Sequence, residues 1–104
     1  MHATIRRYEG VDRNRTDELS KKVSENLAPR LSKLPGFAGY YLIEAGNGVV
    51  SSIGLFENVE QADESTRVAA AWVRDEKLET VLPNAPEITS GEVIAHQKGV
   101  PVLA

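Results

Sequence analysis

The chain of 104 residues contains no cysteine, which excludes disulfide bonds, thiolate metal sites and redox-active thiols. It also has no run of about 18 apolar residues, the length that a membrane-spanning helix needs. Positive charge is not in excess, because 12 Lys and Arg stand against 15 Asp and Glu for a net charge of −3. This balance argues against DNA or RNA as the main partner, since phosphate neutralisation dominates such binding. Arg6 and Arg7 stand where a signal peptide would need apolar residues, so the expected location is the cytoplasm.

The length and the hydrophobic content of 41% are those of a single globular domain. We expect this domain to cover residues 1–98. Residues 99–104 form a short apolar tail interrupted by Pro101, which we expect either to fray or to lie on a partner subunit.

Two corner motifs of the first half recur in the second half at the same spacing. Residues 8–12 (YEGVD) match residues 56–60 (FENVE), and residues 34–36 (LPG) match residues 82–84 (LPN). Gly and Asn both tolerate left-handed backbone conformations, so Gly10 and Asn58, and likewise Gly36 and Asn84, are expected to share one geometry. The recurrence indicates two halves of one plan, whether by duplication or because similar corners select similar residues.

Apolar periodicity predicts four strands and two helices. The strands are residues 2–8, 37–45, 49–56 and 88–97, and the helices are residues 12–34 and 58–82. Aliphatic residues recur at every fourth position of the first helix and form one apolar stripe: Leu19, Val23, Leu27 and Leu31. Pro29 should kink this helix or leave its last turn irregular, and residues 75–77 are where the second helix could lose its register. Asn47 and Gly48 predict a type I′ hairpin turn.

The order β-α-β-β-α-β predicts an α+β ferredoxin-like fold, with a four-stranded antiparallel sheet in the order 4-1-3-2 and both helices on one face. Alternation along the strands assigns an apolar set to the face under the helices: Ala3, Ile5, Phe37, Tyr41, Ile43, Ile53, Leu55, Val93 and Ala95. The other face is also too apolar to be left in water, through Tyr8, Leu42, Val50, Phe56 and Ile94. We therefore predict a homodimer that buries this second face.

Strands one and four are expected to be antiparallel neighbours. A charge pair between Arg6 and Glu92 would select their register, and the same register would place His2 opposite His96. Two imidazoles at one rim would disfavour each other's protonation, which would make that rim sensitive to pH near about 6.

Several features resemble the dimeric α/β-barrel superfamily, in its antibiotic-biosynthesis-monooxygenase-like branch. They are the run Leu31-x-x-Leu34-Pro35-Gly36-Phe37-x-x-Tyr40, the glycine-rich hairpin, the strand end Phe56-Glu57 and the helix that follows it. The resemblance covers nearly the whole chain, to about Gln97. It implies that two subunits join their open sheet faces into a barrel. It also implies a ligand pocket between sheet and helices or inside the barrel.

The resemblance also implies where catalytic residues would stand, and this chain departs from the pattern. Cofactor-independent oxygenases and haem-degrading members of this branch often have Trp at the end of the third strand and His in the second helix. Here the Trp position holds Phe56, and the His position holds Ser65 or Thr66. None of these side chains can replace an imidazole as an iron ligand or as a base near neutral pH. These differences argue against haem degradation, and no cofactor is expected.

The candidate ligand-binding residues are Arg6, Tyr8, Tyr40, Ser52, Phe56 and Trp72. The aromatic residues on the sheet could form a wall against a ligand, but packing between subunits explains them equally well, and Trp72 is most simply a core residue. Arg6 could bind an anionic or phenolate substrate, or pair with Glu92. His2, His96 and Glu92 share a face, but their spacing does not enforce a metal site, so none is predicted.

Two functions stay open on the sequence. The first is a homodimeric barrel that binds a small aromatic or apolar molecule without an evident catalytic motif. We favour it because two expected polar catalytic positions are absent. The second is a cofactor-independent monooxygenase that acts on a phenolic or quinol-type substrate.

Overall fold

A computed structural model describes residues 1–97 and residue 99. The strands are β1 (His2–Tyr8), β2 (Phe37–Gly46), β3 (Val49–Phe56) and β4 (Glu87–Glu92). The helices are α1 (Thr16–Lys22), α2 (Ala28–Ser32) and α3 (Val59–Asp75), with a π-helical turn (Val23–Leu27) between the first two and 3-10 turns at Arg13–Arg15 and Leu78–Thr80.

The strands form one antiparallel sheet in the order β2-β3-β1-β4, which confirms the predicted α+β ferredoxin-like topology. The predicted tail lies outside the described residues, apart from Gly99. None of the helices in the described part of the chain is long and apolar enough to cross a membrane.

The helical stretch from α1 to α2 packs on the sheet through one apolar stripe. Leu19, Val23, Leu27 and Leu31 are all buried, as their spacing predicts. Pro29 lacks the N–H that an α-helix would use at its position. Just before it the helix widens into the π-helical turn, where the backbone N–H that follows the turn donates to the Val23 carbonyl. The helical stretch is thus irregular next to the proline, and it continues to Ser32.

Two local predictions from turn chemistry are confirmed. Asn47 and Gly48 have φ angles of 54° and 75°, both positive as a type I′ hairpin requires. The second helix breaks at Asp75, and Lys77 adopts a left-handed conformation before the short turn Leu78–Thr80. The second helix is therefore shorter than the predicted stretch to residue 82.

The two halves of the chain do not share one corner geometry. Gly10 and Gly36 have positive φ angles of 68° and 75°. Asn58 is extended, with φ −140°, and is the N-cap of α3 in a capping box with Gln61. Asn84 is not among the residues with positive φ, and its side-chain amide donates to a backbone carbonyl. The predicted equivalence is wrong because both asparagines act through their side chains.

The helices cover the opposite face of the sheet from the one predicted. The residues under them are at most 4% exposed and include Thr4, Arg6, Val50, Ser52 and Phe56. Tyr41 and Ile43, which were predicted to lie under the helices, are 59% and 44% exposed. The alternation correctly predicted which residues share a face. Because both faces carry apolar residues, it did not show which face the helices cover, and that face is the one that carries Arg6. We call the uncovered apolar surface the open face; it carries Ala3, Ile5, Tyr41, Ile43, Ile53 and Leu55.

The predicted dimer surface is wrong for the same reason. Val50 and Phe56 are buried under the helices, and Tyr8 and Leu42 pack against the same core. Phe37 joins Phe56 on this side, with ring centroids 5.7 Å apart, because β2 has a register shift between Phe37 and Gly39.

The predicted pairing of β1 with β4 is confirmed, but the register is wrong. His2 lies opposite Glu92, and Arg6 lies opposite Ile88, so the expected pairs of Arg6 with Glu92 and of His2 with His96 do not form. The charge pair does not select the register because Arg6 is buried beneath α3 and β4 ends at Glu92.

Candidate functional site

A cleft of about 350 Å³ lies between α3, the sheet edge formed by β1 and β4, and the segment of residues 82–86. Thr66, Ala70 and Val73 contribute from α3, where their spacing places them on one face of the helix. Leu82, Pro83, Ala85, Pro86 and Ile88 make the other walls largely apolar. Arg6 and Tyr8 line the cleft from β1. The cleft is therefore an apolar space with a positive charge on one wall.

Arg6 is only 4% exposed, although it carries a guanidinium. Its Nη1 donates to the Thr66 hydroxyl at 3.3 Å, and that hydroxyl donates in turn to the Ala62 carbonyl at 3.3 Å. Within residues 1–97 and 99, no carboxylate forms an ion pair with Arg6. Glu79 also lines the cleft but is exposed to solvent. The guanidinium is thus buried without a counter-ion in this part of the chain, beside a cavity.

A second, smaller cavity of about 20 Å³ lies deeper between the sheet and the helices, and we call it the inner chamber. Tyr40, Ser52 and Trp72 line it together with aliphatic residues of the helical stretch. Arg6 and Tyr8 line both the inner chamber and the cleft. The pairing of β3 with its two neighbouring strands sets the position of Ser52. Ser52 lies opposite Arg6 of β1 on one side and opposite a leucine of β2 on the other.

Two buried polar atoms of residues that line the inner chamber lack a hydrogen-bond partner of normal geometry, and both atoms are covered by the surrounding protein. They are the hydroxyl of Ser52 and the indole Nε1 of Trp72. These residues are 3% and 1% exposed, so solvent does not reach them from outside. A buried donor without a partner is uncommon in native structures.

Burial raises the pKa of Tyr8 and of Tyr40 above their usual value of 10, and the positive charge of Arg6 opposes this rise. The Ser52 hydroxyl further opposes the rise in the pKa of Tyr40. Both phenols therefore stay protonated at neutral pH, where they can donate hydrogen bonds but cannot act as bases.

The structure brings together most of the residues that the sequence singled out. Arg6, Tyr8, Tyr40, Ser52 and Trp72 all line the inner chamber. Phe56 lines neither cavity and packs against Phe37 in the core. The binding roles of these residues stay a prediction.

Sequence reasoning missed the role of Thr66 as partner of Arg6, and it missed the wall formed by residues 82–86. The two prolines at positions 83 and 86 were a signal for a rigid segment at this place. Among the described residues, no group of three His, Cys, Asp or Glu side chains could hold a metal ion.

No protein-family model matches the sequence, and no curated protein is significantly similar to it. The structure is similar to a protein of unknown function from Nitrosomonas europaea, with 17% identity, a TM-score of 0.74 and coverage of 96% of this chain and 95% of the other. It is similar to the ActVA-Orf6 monooxygenase of Streptomyces coelicolor in complex with nanaomycin D, with 14% identity, a TM-score of 0.72 and coverage of 95% and 92%. The haem-degrader MhuD of Mycobacterium tuberculosis, with two haems in its active site, has 20% identity, a TM-score of 0.71 and coverage of 94% and 100%. The chain therefore shares its α+β ferredoxin-like fold with these solved structures.

Proposed function

We propose that the protein binds a small aromatic molecule in the cleft, with an anionic oxygen of that molecule against Arg6. The observation that carries the proposal is the burial of Arg6 at 4% exposure without a counter-ion in the described residues. A buried charge is unfavourable unless it is paired, so this position favours a ligand that supplies a carboxylate or a phenolate. Arg is suited to this role because its planar guanidinium can donate two parallel hydrogen bonds to such a group.

The size and polarity of the cleft support an aromatic ligand. Its volume of about 350 Å³ is in the range of small-molecule pockets, which are mostly apolar with a few polar groups that fix orientation. The similar structures of ActVA-Orf6 and MhuD hold nanaomycin D and haem respectively. A fold that receives such ligands in other proteins is consistent with an aromatic ligand here.

Cofactor-independent monooxygenation of a phenolic or quinol-type substrate is the second candidate. Arg6 supports it, because a guanidinium stabilises the phenolate form, in which an electron-rich substrate can itself activate oxygen. The protonated Tyr8 and Tyr40 do not supply a base at neutral pH, and the chain has Phe56 where Trp is frequent in this branch. Binding without turnover is therefore the favoured function, and it needs no cofactor.

Calorimetry with a matched pair of probes tests the proposal. Naphthoate carries a carboxylate, whereas naphthamide has a similar shape without charge. We expect naphthoate to bind about tenfold more tightly than naphthamide, since a hydrogen bond to a charged group contributes roughly 1.5–3 kcal/mol. Arg6→Met should remove this preference, and Arg13→Met, a matched change at an exposed arginine, should retain it. Equal binding of both probes, or no binding of either, would contradict the proposal.

An oxygen electrode separates the two candidate functions. Steady oxygen consumption with a dihydroxynaphthalene, lost in Arg6→Met, would favour the monooxygenase. Binding of the same compound without oxygen consumption would favour the binding protein.

The proposal includes a homodimer that buries the open face. Tyr41 and Ile43 are 59% and 44% exposed there, and Ile5, Ile53 and Leu55 flank them on the neighbouring strands. Removing apolar surface from water is favourable by roughly 25 cal/mol per Å², so covering this face with a second copy of the chain would stabilise the dimer. We also propose that the protein is located in the cytoplasm.

Light scattering after size exclusion tests the dimer. The wild-type chain of 11.3 kDa should elute at twice this mass, and Ile43→Asp should elute as a monomer. Val59→Asp, at a valine that is 45% exposed on α3 and outside the open face, should leave the dimer intact. A monomeric wild-type protein at micromolar concentration would refute this part of the proposal.

A further inference from the structure

The Arg6 side chain stands between two cavities, because it lines both the cleft and the inner chamber. An arginine side chain has several rotatable bonds, and in the described part of the chain no ion pair fixes this one. Its Nη1 donates to the Thr66 hydroxyl at 3.3 Å. Thr66 lines the cleft and not the inner chamber, so this hydrogen bond holds the guanidinium on the side of the cleft.

The Thr66 hydroxyl is arranged as an acceptor toward Arg6. It donates its single proton to the Ala62 carbonyl, one helical turn earlier in α3, at 3.3 Å. A hydroxyl has one proton and two lone pairs, so its lone pairs remain for the guanidinium, which can only donate. The β-branched threonine side chain has few preferred rotamers in a helix, so α3 presents this acceptor in a defined direction at the wall of the cleft.

Tyr40 offers the guanidinium an alternative position on the side of the inner chamber. It lines the inner chamber and not the cleft, and its phenol oxygen can accept a hydrogen bond. The positive charge of Arg6 opposes the rise in the pKa of Tyr40, so the two groups are close enough to interact. Without the Thr66 hydroxyl, the position nearer Tyr40 would become more favourable for the guanidinium than the position at the cleft.

We propose that Thr66 is a positioning residue for the anionic end of the ligand: its hydroxyl keeps the Arg6 guanidinium at the cleft, where the guanidinium meets the ligand oxygen. This inference rests on the proposed binding function and adds a residue that acts through Arg6. Because Thr66 acts on the charged group, its hydroxyl should affect the preference for an anion and not the binding of the ring.

Calorimetry with naphthoate and naphthamide tests this role through the ratio of their Kd values. In the wild type we expect naphthoate to bind about tenfold more tightly than naphthamide. Thr66→Val keeps the shape of the side chain and removes the hydroxyl. It should reduce the preference to about threefold or less, because ordering one long side chain changes affinity by roughly threefold to tenfold. Thr66→Ser keeps a hydroxyl at this position and should retain most of the preference.

Thr80→Val is the matched control. The Thr80 hydroxyl accepts a hydrogen bond from Arg15 Nη1 at 2.6 Å, and Thr80 lines neither the cleft nor the inner chamber. This change removes the same kind of hydrogen bond elsewhere and should keep the tenfold preference. Circular dichroism checks the fold of each variant. If Thr66→Val does not fold, Thr66→Ala supplies the test, since alanine favours a helix.

The outcomes separate this inference from the proposed function. If Thr66→Val keeps the wild-type preference, even with weaker binding of both probes, Thr66 has only a structural role and the inference is overturned while the binding function stands. The same holds if Thr66→Ser loses the preference as fully as Thr66→Val, because the hydroxyl is then not the cause. If the wild type itself does not prefer naphthoate, the proposed function fails and this inference fails with it.

Discussion

Replacing Arg6 with methionine should make the unliganded protein more stable. The change removes a guanidinium that is buried at 4% exposure without a counter-ion in the described residues, and it keeps a long apolar side chain in the same space. Binding sites often reduce stability in this way, because a group arranged for a ligand is unsatisfied without it.

The magnitude follows from two opposing contributions. An uncompensated buried charge destabilises a protein by roughly 3–5 kcal/mol. Against this, Arg6→Met loses the hydrogen bond to Thr66 and packs less specifically, which together cost about 1–2 kcal/mol. The net expectation is an increase of about 1–4 kcal/mol in the free energy of unfolding, or about 4–30 °C in Tm for a domain of this size.

Urea denaturation followed by circular dichroism measures this difference directly. Arg6→Lys, which keeps a charge, should not be stabilised, and Arg13→Met at the exposed control position should stay within about 0.5 kcal/mol of the wild type. If Arg6→Met is destabilised by more than about 1 kcal/mol, the fold itself uses the guanidinium, and the argument for an anionic ligand loses its basis.

Three further predictions concern the fold and its pH dependence. A Cβ at Gly36 would meet the side chain of Gln61, so Gly36→Ala should disrupt the capping box of α3. In a double-mutant cycle, Gln61→Ala should therefore lower the free energy of unfolding by about 1 kcal/mol in the wild type but change it little in Gly36→Ala. The raised pKa of Tyr8 and Tyr40 means that the unfolded chain loses these protons first, so the free energy of unfolding should fall as pH rises above about 10, and should fall less in Tyr40→Phe. Leu31→Ala, at a residue 1% exposed, should lower the free energy of unfolding by about 2–5 kcal/mol in urea denaturation, whereas a loss under about 1 kcal/mol would contradict its place in the core.

Alternation and turn chemistry were sufficient to predict the order of strands and the hairpin. The side of the sheet that the helices cover was not predictable in the same way. Both faces are apolar, and the covered face includes Thr4, Arg6 and Ser52, which the usual preference for burying apolar residues would place outside. The predicted register of β1 against β4 was wrong because it depended on a charge pair between Arg6 and Glu92, whereas Arg6 is buried beneath α3 and lies opposite Ile88.

The structure places most of the candidate residues together, although the predicted side of the sheet was wrong. Arg6, Tyr8, Tyr40 and Ser52 share a face by alternation whichever side the helices take, so their grouping did not depend on that choice. The contact of these four residues with the cavity beside Trp72 did depend on which face the helices cover, because Trp72 belongs to α3. The sequence could not show that Thr66 would be the hydrogen-bond partner of Arg6, since that contact requires the position of α3 above β1.

A crystal structure of the protein with naphthoate tests the central claim most directly. We predict that the carboxylate contacts the Arg6 guanidinium and that the ring lies in the cleft between β1 and α3. A ring bound on the open face, or an Arg6 side chain in an ion pair with a carboxylate of the protein, would contradict the claim.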